Sequence, residues 1–121
     1  MPMLFGFNEL ATLPVERVTD KISRRVLAGE QCMMVWWTIK AGAHAAAHRH
    51  PHEQVVWMLK GRVDFCLGDD RRTMVGGDVA VIPSGVEHEA FFVEDTEVVD
   101  RFSPPRDNFL AGGTPTYMQE C

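Results

Sequence analysis

Five histidines stand in this chain, and four of them fall close together, at His44, His48, His50 and His52, with His88 alone downstream. In an extended strand, residues two apart face the same side, so His48 and His50 can aim both imidazoles at one point. Gln54 keeps their parity. Neutral imidazoles that converge on a point are how proteins commonly hold a divalent first-row metal ion. A further ligand has to come from elsewhere in the fold, and His88 is the only histidine left to supply it. A lone histidine is more often a surface or hydrogen-bonded residue than a ligand, and His44 and His52 are read that way.

The elements that must position these groups read as short strands. Residues 31–40, QCMMVWWTIK, and 54–59, QVVWML, are rich in β-branched and aromatic types and apolar at both parities, which predicts strands covered on both faces. Strand-like runs follow at 62–67, 71–75, 79–82, 89–93 and 97–102, separated by Gly61, Gly68-Asp69-Asp70, Gly76-Gly77, Pro83-Ser84-Gly85 and Glu94-Asp95. No stretch sustains a helical apolar period. The spacing predicts an all-β fold, a double-sheet jelly roll, built as one domain over 1–121. Within it, 1–28 supplies N-terminal edge strands, 29–102 the barrel core and 103–121 a coil tail, with one turn of helix allowed at 106–110. Trp36 and Trp37 point to opposite faces, so one lies inside and the other needs cover. A chain of this size with strands apolar on both sides is expected to associate with a second copy.

Composition narrows the partners. Of 121 residues, 45% are hydrophobic and 24% charged, as in ordinary globular proteins, and 12 Lys and Arg against 17 Asp and Glu leave a net charge of -5. That balance opposes nucleic acid or an anionic membrane as the main partner and leaves room for a local cationic pocket. The opening MPMLFGFNEL has no basic region or cleavage site of a secretory signal, and no apolar run approaches the ~20 residues a membrane helix requires. Three cysteines, Cys32, Cys66 and Cys121, with no C-x-x-C spacing, suit buried thiols in a reducing, cytoplasmic setting.

Two ordered motifs resemble those of the cupins: Gly42, His48, His50, Gln54 and Gly61, then Gly77, Pro83, Gly85 and His88. Gln54 stands where the first motif usually has Glu, and Phe92 where the second usually has Asn. The resemblance runs from about Gly29 to Leu110 and implies a double-stranded β-helix barrel holding one divalent metal ion at its centre. Glu53 is an alternative ligand, but its parity puts it on the other face, and the register to Gly61 fits Gln54. A neutral amide in place of a carboxylate leaves a bound ion more positive, raising Lewis acidity while lowering affinity.

His-x-His-Pro-His-Glu-Gln, together with the segment from Asp100 to Leu110, resembles the KdgF group of cupins. That likeness implies a metal site of His48, His50, Gln54 and His88, with the ion one of Ni, Fe, Mn, Zn or Co. It implies conversion of 4,5-unsaturated monouronates to linear keto-deoxyuronates, with Asp100, Phe102 and Arg106 in the pocket, and a homodimer. The residue types fit: an anionic sugar acid needs a Lewis acid, a proton-moving carboxyl group and a cation for its carboxylate. Asp100 and Phe102 share parity, so both can face the interior. Plainer readings stand beside these, with Asp100 paired to Arg101 or Arg62 at the surface, Arg106 a solvated loop charge beside Asp107, and Phe102 simply core. An Fe(II)-dependent dioxygenase or lyase acting on another small molecule, or a ligand-binding cupin without catalysis, uses the same barrel.

Overall fold

The computed structural model describes residues 4–107. A short 3-10 turn, Leu10–Thr12, precedes ten strands: β1 (Glu16–Arg17), β2 (Ile22–Ala28), β3 (Met33–Ile39), β4 (His44–His48), β5 (Glu53–Lys60), β6 (Arg62–Leu67), β7 (Asp70–Val75), β8 (Val79–Ile82), β9 (His88–Phe92) and β10 (Thr96–Ser103). They form two antiparallel sheets that face each other, ordered β1-β2-β3-β10-β5-β8 and β4-β9-β6-β7. This is the all-β jelly roll read from the strand spacing.

Alternation of side chains builds the core. Every second residue of β2 and β3 is buried, so Val26, Met33, Val35 and Trp37 enter the interior, where Met58, Val63, Ile82 and Phe102 meet them. The N-terminal strand region does more than edge a barrel that begins at residue 29. β2 lies between β1 and β3, and its Ile22, Val26 and Ala28 belong to the core cluster. Arg24 shares their inward parity and is buried, stacked over the Trp37 ring at 5.6 Å.

The outer face of the larger sheet departs from the expectation of cover on both sides. Met34 is 38% and Trp57 49% exposed, and Val79 and Val81 on β8 are exposed beside Trp57. Among the described residues, part of that face is roofed, where Leu10 and Leu13 border a groove with Leu27, Met34 and Trp36. Ser103, expected in the tail, is the last residue of β10. The coil tail beyond 107, and the helical turn at 106–110 past Asp107, lie outside the described residues.

Gly61 joins β5 to β6 at φ 99°, where a Cβ would stand 2.5 Å from the Asp95 carbonyl oxygen and press on Thr96. Only glycine fits so close an approach of two chain segments.

Candidate metal centre

His48 and His88 are direct cross-strand partners on β4 and β9. Their ring centroids are 4.2 Å apart. His48 owes its inward direction to a bulge. The β4–β9 register pairs Ala45 with Ala90 but His48 with His88, a shift of one residue between them. Without that extra residue, Ala45 and His48 would face opposite sides; the bulge turns His48 into the barrel. His44, before the bulge, stays on the outer face, stacked on Phe91 at 4.3 Å and paired to Glu89 at 2.6 Å.

His50 corrects the simple two-residue alternation. β4 ends at His48, and His50 lies in the connection to β5. Pro51 follows it, lacking the N–H a continued ladder would need. The His50 carbonyl instead accepts a hydrogen bond at 2.9 Å from the amide of Gly85, which adopts φ 78°. His50 so anchored lies 5.8 Å from the His48 ring and 4.9 Å from that of His88.

Gln54, the second residue of β5, is buried, while Glu53 before it is exposed. The site therefore draws on both sheets. His48 and His88 come from the smaller one, Gln54 from the larger, and His50 from the connection between them.

The second nitrogen of each ring is committed. Nδ1 of His48 donates to the Ala46 carbonyl at 2.7 Å, that of His50 to His52 at 3.0 Å and that of His88 to Val86 at 2.9 Å. A neutral imidazole carries one N–H, so these bonds leave each Nε2 as a lone pair. Burial pushes His48 and His50 down to about 4 and lowers His88, with the neighbouring cations adding to the shift. All three rings are therefore neutral at pH 7.

One ring nitrogen from each of the three histidines lies within 4.8 Å of the others, close enough for one ion to gather them. Among the described residues, His88 Nε2 is buried with no hydrogen-bond partner, and His50 Nε2 faces Gln54 Oε1 at 3.1 Å, acceptor against acceptor. A cation resolves both features, and the donor set fits a divalent metal ion.

The remaining residues singled out by sequence gather around this cluster. Asp100 faces inward from β10, not toward Arg101 or Arg62. Its Oδ2 accepts from the indole N–H of Trp37 at 2.9 Å. Burial pushes its carboxyl up to about 6, opposed by hydrogen bonds from Gln54 and Trp37 and by the Arg106 charge. Phe102 is buried, its ring 5.7 Å from His50. Arg106 is 6% exposed, not a solvated loop charge, and its guanidinium lies 5.2 Å over the Phe102 ring. One pocket is lined by His48, Gln54, Asp100, Phe102 and Arg106.

The cupin domain model matches residues 35–99 of this sequence. The chain belongs to the cupin family. Among curated relatives, this cupin is 28% identical over 100 residues to the pectin degradation protein KdgF of Dickeya dadantii, covering 80% of this chain and 91% of that one. The solved structure of KdgF from Halomonas sp. superposes with a TM-score of 0.80 at 28% identity, over 86% of this chain and 99% of that one. An RmlC-like cupin from Shewanella frigidimarina superposes with a TM-score of 0.84 at 24% identity, over 90% and 99%, a likeness of fold.

Two groups in this cupin escaped the reading of its sequence. Trp37, for which strand parity predicts no more than a place inside or outside the barrel, donates to Asp100. The available signal was the shared inward parity of the two on adjacent strands. His52 acts through its backbone carbonyl, which orients His50. A backbone role leaves no mark on residue type.

Proposed function

We propose that this cupin is a metal-dependent enzyme that opens 4,5-unsaturated monouronates, from pectin or alginate breakdown, to linear keto-deoxyuronates. The observation that carries this reading is the shared pocket, where a metal-fitting donor set, a carboxyl group and a guanidinium meet in one barrel. Similarity to proteins named KdgF supports the substrate class. One divalent ion per chain, held by Nε2 of His48, His50 and His88 and Oε1 of Gln54, would supply a Lewis acid toward a substrate oxygen.

The conversion is an isomerisation. A proton leaves the anomeric hydroxyl, the bond between C1 and the ring oxygen breaks, C1 becomes an aldehyde, and the enol at C5 becomes a ketone as C4 gains a proton. Asp100 moves that proton. Its elevated pKa of about 6 keeps acid and base forms both accessible near neutrality. Arg106 pairs with the substrate carboxylate through its planar fork. Phe102 supports the guanidinium from below and presents an apolar edge to the sugar ring.

The test is proton NMR of the metal-loaded protein with a 4,5-unsaturated galacturonate, following loss of the vinyl proton against a protein-free control. Acceleration that vanishes in Asp100→Ala at saturating metal supports the assignment. No acceleration, with metal content confirmed, moves the barrel to oxygen-dependent chemistry or to ligand binding.

The same reading makes the chain a homodimer of single-domain protomers in the cytoplasm. Support for association comes from the exposed apolar patch of Trp57, Val79 and Val81 at the β5–β8 edge of the larger sheet. Cys32 and Cys66 are free thiols, as a reducing compartment would leave them. No helix among the described residues is long and apolar enough to cross a membrane.

A further inference from the structure

We propose that Asp100, held by Trp37, is the positioning residue that makes Gln54 a metal ligand, by fixing which end of its amide faces the histidines. The proposal rests on the metal reading above and gives Asp100 a task separate from proton transfer.

A glutamine amide has two ends of nearly the same shape, and only the oxygen can bind a metal ion. Something must choose between them. In the β5–β10 register Gln54 lies opposite Phe102, and Val56 opposite Asp100, so Gln54 and Asp100 are diagonal neighbours on the same inner face. Such neighbours are within reach of long side chains. A carboxylate offers only acceptors, and the indole N–H of Trp37, which can only donate, already bonds Oδ2 at 2.9 Å. The Gln54 amide, diagonal to this carboxylate on the inner face, can meet it only through its amide hydrogens. Its oxygen is thereby turned to His50 Nε2, 3.1 Å away.

This arrangement accounts for glutamine where the first cupin motif usually has glutamate. A glutamate at position 54 would set one carboxylate against another.

Asparagine at position 100 reverses the polarity. The Trp37 N–H still needs an acceptor, so the asparagine carbonyl turns to it and the asparagine NH2 faces Gln54. The Gln54 oxygen then rotates toward that NH2 and leaves the histidines. The experiment measures Co(II) affinity of the full chain, in competition with a chromophoric chelator, together with the visible spectrum of the Co(II) form. Asp100→Asn and Gln54→Ala are each expected to bind Co(II) roughly 10- to 100-fold more weakly than wild type. The double variant should bind no more weakly than Gln54→Ala alone, and the two single variants should share the same change in the visible bands. Asp100→Asn combined with Gln54→Glu should regain wild-type affinity or better, because the asparagine NH2 then donates to the new carboxylate. That rescue also excludes misfolding as the cause of the loss. Wild-type affinity in Asp100→Asn, or fully additive losses in the double variant with alanine, would overturn the proposal while leaving the metal site standing. A wild-type chain that takes up no Co(II) overturns the metal reading itself.

Discussion

His50 Nε2 lies 3.1 Å from Gln54 Oε1, and in the neutral ring no proton stands between them, because the proton is on Nδ1 and engaged by the His52 carbonyl. Two lone pairs at that distance repel unless a cation joins them. His48→Ala and His88→Ala are therefore each expected to remove most of the metal found per chain by elemental analysis. Undiminished metal in both would place the ion elsewhere.

The same rings make stability depend on pH. His48 and His50 fall from an ordinary 6.5 to about 4 in the folded chain. Between those values the unfolded chain binds protons that the folded chain refuses, so stability is full above about 6.5 and is lost as pH falls toward 4. Asp100 works in the opposite sense between 3.8 and about 6, but it is one group against four lowered histidines, His48, His50, His52 and His88. The melting temperature of chelator-stripped protein should thus fall from pH 7 to pH 5. A flat or rising profile would contradict neutral buried imidazoles.

Turnover and substrate binding should separate between Asp100 and Arg106. At saturating metal, Asp100→Asn is expected to lower kcat by about 10²- to 10⁴-fold, the usual scale of a lost proton-transfer group. Arg106→Lys keeps the charge but loses the paired N–H geometry, and its main effect should be a raised KM. Steady-state kinetics on the unsaturated uronate would read both. A normal kcat in Asp100→Asn would remove that residue from the reaction.

Gly61→Ala tests the turn between β5 and β6. A Cβ there would meet the Asp95 carbonyl oxygen at 2.5 Å in a backbone conformation L residues avoid. A loss of about 2–4 kcal/mol is expected by denaturant titration, combining backbone strain with the steric contact. A change below about 0.5 kcal/mol, the ordinary scale of a surface substitution, would show that the two segments separate freely.

Association can be read by sedimentation velocity. The wild-type chain should sediment as a dimer, and Trp57→Glu, which charges the exposed outer face of β5, should yield monomers. A monomeric wild type would leave that apolar patch without a partner copy.

The residue types and spacings already determined much of this protein. Alternating apolar runs between glycine and proline turns specify strands, because period-two burial and turn chemistry are local properties of the chain. Gly42, His48, His50, Gln54, Gly61, Gly77, Pro83, Gly85 and His88 mark the two motifs in order. Parity, with the register to Gly61, separates Gln54 from Glu53, and parity places Asp100 with Phe102. What parity could not supply was the bulge between Ala45 and His48, since register depends on the partner strand. Nor could it show that His50 leaves β4 and is held by Gly85, or that Arg106 folds back over Phe102. The hydrogen bond from Trp37 to Asp100 joins residues far apart in sequence, which become neighbours only when β3 pairs with β10. Local sequence chose the groups, whereas long-range strand pairing decided which of them meet, because such contacts form only after distant segments have been brought into register.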